Sequence, residues 1–381
     1  MSLTSRFDFL DKTIQRHPDE AEIDGETHKF TRKYGYEYHS YLTELVSLAY
    51  NYLPKEDIQR TANLLAWLWM VDDIIDDHTT DDQMGRPAQH MCDLRDRVIL
   101  ESTETLESII KSNHWPILLS PGFCDGEAFP SLLPCTQMLI DGLSAFDESH
   151  SLCVYIAKQA LNYITKGCVP ELTIPHDVPI PIDTYDNVRF YCGGMDFVFG
   201  PMILDVVRSA ASNSPSPSAS ADRIVALLES EHVRRCLDLA NLVGTSINDI
   251  YSFWKECTRD KSAFNRVKLY MVHEDLDVDD ALDAVAKMAN DNFAKLEEAF
   301  NDDRSFDDMS RLIIKRAAHW LKAELLWHCR CKRYAIGAPA PKGNYDGELK
   351  AHEMGERSRA ALHNEELSPH FITVKSLAYA S

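Results

Sequence analysis

Two apolar segments set the pattern of this chain. Leu64-Leu65-Ala66-Trp67-Leu68-Trp69-Met70-Val71 is too rich in Leu, Ala and Met for a strand and reads as helix. That helix must end soon after Asp77, where Thr79-Thr80-Asp81-Asp82 and Gly85-Arg86-Pro87 act as breakers. A second buried helix runs through Ile247, Ile250, Tyr251, Phe253 and Trp254, whose bulk leaves little room for a solvated face. Strand-like patches such as Val178-Pro179-Ile180-Pro181-Ile182 are broken by proline, and nothing alternates strands with helices. Residues 112–130 and 168–183 carry Pro and Gly and read as interhelix loops. The Ser/Pro-rich stretch at 211–221 reads as an inserted loop, because such sequence cannot build a core. The pattern predicts an all-α protein. Beyond Ile336 the chain passes through Gly-Ala-Pro-Ala-Pro into a polar tail, 336–381, that is either disordered or folded over the mouth of a site.

Each apolar segment carries an unusual polar set. Asn248, Ser252 and Glu256 are spaced i, i+4, i+8, so one helix face offers three oxygen ligands in a row, suited to a hard divalent cation such as Mg2+. The span rises about 12 Å along the axis. Helical side chains lean toward the N-terminus, so the long Glu256 reaches back over the short Ser252 toward the amide. In the first segment, Asp72 and Asp76 share one helix face and Asp73 and Asp77 the adjacent one. Like charges at i, i+4 cost a few tenths of a kcal/mol per pair. Negative charge at a helix C-terminus also opposes the macrodipole by roughly 0.3–1 kcal/mol per group. A bound cation reverses the sign of both effects.

Together these motifs resemble the class I terpene synthases, especially single-domain microbial sesquiterpene cyclases. Asp72-Asp73-Ile74-Ile75-Asp76 is similar to the family's DDxxD motif, and Asn248 to Glu256 to its NDxxSxxxE motif. The resemblance implies a single-domain helical bundle with a central active-site cavity, in which the two motifs face each other. They would hold three Mg2+ ions, with Mn2+ as a substitute, through Asp72, Asp73, Asp76, Asn248, Ser252 and Glu256. Asp72 corresponds to the main ligand of its cluster and Asp76 to a supporting one. Arg333-Tyr334 resembles the family's RY pair, Arg189 the arginine that senses the diphosphate, and Lys255 a phosphate-binding lysine. Trp327, six residues before Arg333, corresponds to a pocket-lining Trp. The third residue after the sensor, often Asp in the family, is here Cys192, a poor hydrogen-bond acceptor. Gly193 follows at the position whose carbonyl assists ionisation, and Gly193-Gly194 suits a helix break.

What the resemblance implies is Mg-dependent ionisation of a linear isoprenoid diphosphate, most simply farnesyl diphosphate, followed by carbocation cyclisation to a hydrocarbon or alcohol and release of diphosphate. The chemistry is coherent in its own right. Metal ions and fixed Arg, Lys and Tyr donors neutralise a leaving diphosphate, and aromatic faces stabilise the carbocation left behind. C10 or C20 substrates on the same scaffold, and an all-trans prenyltransferase lacking its second aspartate-rich motif, are the alternatives. An HD-type phosphohydrolase built on His176-Asp177 requires a helix that Pro175 and Pro179 forbid, and a catalytically dead homologue would not keep the full set.

The motifs from Asp72 to Tyr334 must converge, so residues 1–335 are expected to form one domain despite a length of 381 residues, and 45% hydrophobic content suffices for its core. A net charge of -21 argues against nucleic acid and anionic membranes as partners. The first residues lack a signal-peptide h-region, and no apolar run reaches the roughly 18 residues needed to span a bilayer. The ten cysteines form no CxxC pair, which points to free thiols in a reducing cytoplasm. Monomer and homodimer are equally compatible with the sequence.

Overall fold

The structure, a computed structural model, describes residues 3–76, 88–111, 133–146, 150–175, 178–212, 217–256, 262–301 and 306–331. Its elements are helices α1 (Glu20–Arg32), α2 (Ser40–Ala49), α3 (Lys55–Asp76), α4 (Ala88–Lys111), α5 (Pro134–Ser144) and α6 (His150–Asn162), then α7 (Ile182–Cys192), α8 (Met195–Met202), α9 (Leu204–Ser212) and α10 (Pro217–Leu228). α11 (Glu231–Trp254), α12 (Arg266–His273), α13 (Val278–Asn301) and α14 (Asp308–Arg330) complete the bundle. Among the described residues there is no strand, and the all-α expectation holds.

α11 is the centre of the molecule. From Val233 to Trp254 it is buried on most of its circumference, packed by α13 and α14 on one side and by α7 and α8 on the other. α3 is the other deeply buried helix: Leu64, Leu65, Ala66, Trp67 and Val71 are all but inaccessible to water. Glu56 and Asp57 in its first turn suit the helix dipole; Asp72, Asp73 and Asp76 at its other end oppose it. Trp67 meets Phe197 of α8 with ring centroids 5.7 Å apart, and the Tyr50 hydroxyl donates to the Val198 carbonyl at 2.9 Å. The N-terminal segment runs across the back of the bundle. Buried Arg6 pairs with Asp279 at 2.7 Å and with Asp283, and Phe7 stacks on Tyr251 of α11 at 6.4 Å.

Three sequence expectations change. The 168–183 loop contains a π-helical turn ending at Cys168 (Tyr163–Cys168) and a single α-turn, Val169–Glu171, before α7 begins. The Ser/Pro-rich stretch expected to be a loop at 211–221 is helical at both ends, with Ser212 closing α9 and Pro217 opening α10. Proline is well tolerated in a first turn, where its missing N–H would have no partner, and Ala221 and Ile224 then bury against the core. Finally, Ile182–Arg208 is long and apolar enough by composition to cross a membrane, but 72% of its most apolar window is buried in the bundle. Gly193-Gly194 and Ile203 break it into α7, α8 and α9. Residues 112–130, His176-Asp177 and the tail lie outside the described residues.

Candidate active site

α11 places Asn248, Ser252 and Glu256 on one face, with Glu256 just past the last α-helical residue, Trp254. The residue between the first two, Asp249, is the hub that fixes them. Its side chain is buried to 1% exposure and pairs with Arg189 of α7 at 2.9 Å. It also accepts a hydrogen bond from the Tyr185 hydroxyl, one turn earlier on α7. The same Arg189 donates to Asn248 Oδ1 at 2.8 Å. Burial works most strongly against the arginine's charge, but Asp249, with Tyr185 and further neighbouring groups, together more than offset it and hold the guanidinium protonated. Arg189 therefore meets the metal-motif helix directly.

Asn265 performs the equivalent task at the other end. Its amide donates to Glu256 Oε2 at 2.7 Å and to the Asp249 carbonyl at 2.8 Å, while its Oδ1 caps α12 by accepting from Val267 N at 2.9 Å. Burial raises the Glu256 carboxyl pKa above its usual range, with Arg189 opposing the shift and Asp249 adding to it. Between these anchored ends, the Ser252 hydroxyl is buried and makes no hydrogen bond of regular geometry. It lies near enough to help stabilise the Glu256 charge.

α3 brings its acidic end to the same region. Asp72 accepts from the Tyr163 hydroxyl at 2.9 Å, and Asp73 from the Tyr36 hydroxyl at 2.7 Å. Tyr163 opens the π-helical turn, and Gly167 within that turn lies directly on the end of α7: a Cβ there would stand 2.5 Å from Cys192 N. This close approach delivers Glu171, one turn later, between the two motifs. Burial pushes the Glu171 carboxyl up to about 7; Arg189 and a hydrogen bond from the Cys192 thiol oppose that rise, while the fields of both Asp72 and Glu256 add to it. Burial and then Glu171 hold Cys192 as a neutral thiol. A carboxylate thus stands beside Arg189 although the position three residues after it is cysteine.

The helix break expected at Gly193-Gly194 is present. α7 stops at Cys192, Gly194 takes a left-handed φ of 66°, and α8 starts at Met195. Gly193 packs so tightly on α11 that a Cβ would fall 2.4 Å from Thr245 Cγ2. Lys255 is half-buried at the end of α11. Trp327 is buried, with its indole N–H donating to the Tyr41 carbonyl at 2.7 Å, so it packs toward α2 beside His328. Arg333 and Tyr334 lie outside the described residues, as does the side chain of Asp76.

These residues fit a divalent cation. Asn248, Ser252 and Glu256 are hard oxygen donors on one face, and the buried, unpartnered Ser252 hydroxyl lacks a ligand of its own. Among the described residues, no group of three or more His, Cys, Asp or Glu side chains is gathered for a metal; the candidate set depends on an amide and a hydroxyl.

Residues 63–295 match the family model described as terpene synthase family 2, C-terminal metal binding, which covers more than half of the chain. The chain belongs to terpene synthase family 2. It is therefore a terpene cyclase, a lyase that binds divalent metal. Comparison with curated proteins finds no sequence match. Among solved structures, this terpene synthase is similar to aristolochene synthase from Penicillium roqueforti (13% identity, TM-score 0.55, covering 84% of this chain and 97% of that one). It is also similar to germacradien-4-ol synthase from Streptomyces citricolor (18% identity, TM-score 0.54, 82% and 95% coverage). A third likeness is to hedycaryol synthase in complex with nerolidol (12% identity, TM-score 0.55, 84% and 98% coverage). At such identities the likeness is one of fold.

Sequence reading missed Tyr36, Tyr163, Glu171, Tyr185 and Asn265 and gave Asp249 no role. Asp249 was visible as the second residue of NDxxSxxxE; nothing in the local sequence distinguishes the others.

Proposed function

We propose that this enzyme ionises farnesyl diphosphate in a Mg2+-dependent reaction and cyclises the resulting carbocation to a sesquiterpene hydrocarbon or alcohol. The observation that carries the reading is the buried, unpartnered Ser252 hydroxyl held in line between Asn248 and Glu256. Asn248, Ser252 and Glu256 would hold Mg2+ from α11, and Asp72, with Asp73 and Asp76 beside it, from α3; three ions are expected. When bound, the metal supplies positive charge to the departing diphosphate.

The chain's own residues do the rest. Arg189, now engaged with Asn248 and Asp249, presents a planar fork suited to phosphate oxygens. Lys255, Arg333 and Tyr334 complete the cradle and exclude water from the carbocation. Gly193, at the helix break, turns backbone polarity toward the point of ionisation, and Trp327 contributes to the aromatic wall. The names of the structural relatives, sesquiterpene synthases among them, support the C15 substrate.

The test is incubation with Mg2+ and, separately, geranyl, farnesyl and geranylgeranyl diphosphate, followed by gas chromatography–mass spectrometry of a pentane extract. A cyclic C15 product that EDTA abolishes is expected from farnesyl diphosphate. Product from only the C10 or C20 substrate would overturn the chain-length assignment, and EDTA-resistant product the metal assignment.

A further inference from the structure

Glu324 lies on the face of α14 turned toward α11 and has no part in the site described above. It is buried to 6% exposure, and its Oε2 makes no hydrogen bond. A Cβ added at Gly244 of α11 would stand 3.0 Å from that oxygen and 2.6 Å from Met195 Cε, the first residue after the helix break. A side chain at 244 would crowd both the carboxyl and the end of Met195. Gly244 is one helical turn before Asn248, about 6 Å along the axis, and away from the acidic ends of α3 and α11. One turn on, His328 Nε2 lies 3.5 Å from Asn248 Nδ2, so α14 runs alongside α11 and Glu324 occupies the level below the metal face. Among the described charged groups, Arg189 exerts the marked field on it, and burial outweighs that field, leaving the carboxyl neutral.

A buried acid with an unsatisfied oxygen costs stability, and an apolar residue of similar size would avoid that cost. Retention of an acid is explained if its proton is used. Resting on the cyclase reading, we propose that Glu324 exchanges a proton with the hydrocarbon during cyclisation. The first carbocation loses a proton to the released diphosphate and becomes a neutral polyene. The Glu324 O–H bond then breaks as the π electron pair of one C=C bond forms a new C–H bond. The other alkene carbon becomes cationic and Glu324 is left as carboxylate. Proton loss from the final cation to that carboxylate restores the acid, with no oxidant or reductant involved.

The test uses protein equilibrated in D2O with Mg2+ and farnesyl diphosphate, reading the product mass and diphosphate release. The wild-type product should gain one deuterium. Glu324→Gln should release diphosphate within about tenfold of the wild-type rate yet make a different hydrocarbon without deuterium. Glu324→Asp, which withdraws the acid by one methylene, should lower the labelled fraction by about tenfold or more, and it decides the matter should the Gln variant not fold. Unlabelled wild-type product, or the same labelled product from Glu324→Gln, overturns the proton-transfer role alone. A wild-type enzyme that turns over no isoprenoid diphosphate removes the substrate reading and this inference with it.

Discussion

Ser252 and Asp249 are buried polar residues three positions apart on α11, yet their surroundings assign them opposite costs. The Ser252 hydroxyl makes no hydrogen bond of regular geometry and only a weak contact with Glu256, so Ser252→Ala should change unfolding free energy by less than about 0.5 kcal/mol. As a metal ligand it should still cost ~10–100-fold in Mg2+-dependent turnover. Asp249 balances Arg189 and accepts from Tyr185. Asp249→Asn strands a buried guanidinium and should cost roughly 3 kcal/mol. Urea denaturation of both variants, set beside turnover, separates ligand from scaffold; a large stability loss in Ser252→Ala would show that the hydroxyl is structural. Glu171 is read through pH. Its carboxyl is pushed from 4.5 to about 7, so the folded state keeps a proton there that the unfolded chain has released. That contribution is fully present below about 4.5 and is lost as pH rises through 7. Glu171→Gln should therefore flatten the decline of Tm between pH 4.5 and 7.5, and an unchanged slope would mean that Glu171 titrates as it does in the unfolded chain.

At the scale of the elements, the two long helices that carry the candidate metal ligands were legible because their signals are local. Apolar bulk marked α3 and α11, the i, i+4, i+8 spacing marked the candidate ligand face, and the breakers after Asp77 lie outside the described residues. The π-helical turn was not legible, because its reason is tertiary: Gly167 must rest on the backbone of Cys192, and only that approach carries Tyr163 to Asp72 and Glu171 to Arg189. Asn265 was likewise invisible, since an asparagine that caps one helix while tying two residues of another has no signature in its own neighbourhood. The Ser/Pro-rich stretch misled through composition, because Pro217 and the alanines after it are compatible with a first helical turn. Gly167 offers a direct test. A Cβ there meets main-chain atoms at 2.5 and 2.7 Å, which cannot yield as a flexible side chain would, so Gly167→Ala should lower Tm by several degrees and weaken diphosphate binding. Gly25→Ala in α1, where a Cβ meets nothing within 4 Å, is the control and should raise stability by about 0.4–1 kcal/mol. Equal effects would show that the turn does not depend on close packing.

For the whole molecule, the central question is how a chain of net charge -21 holds a polyanionic substrate. Among the described residues at the candidate site, Arg189 is already committed, engaged with Asp249 and Asn248. Diphosphate alone should therefore meet Glu171, Glu256 and Asp72 as repulsive neighbours. Divalent cations alone should bind weakly, because the Asn248 amide oxygen already accepts from Arg189 and Glu256 from Asn265. Together each removes the other's obstacle: the cations reverse the local field, and the anion draws Arg189 away from Asn248. Stabilisation on binding follows RT ln(1 + [L]/Kd), about 2.7 kcal/mol at a hundredfold excess over Kd. That converts to a rise in Tm on the order of 3–5 °C for a domain of this size. Millimolar Mg2+ and diphosphate added together should produce that rise, and either alone less than the sum would require. Asn248→Ala should abolish the excess while leaving the unliganded Tm nearly unchanged. Strictly additive shifts would show that metal and diphosphate occupy independent sites, and that α3 and α11 do not close on a shared ligand.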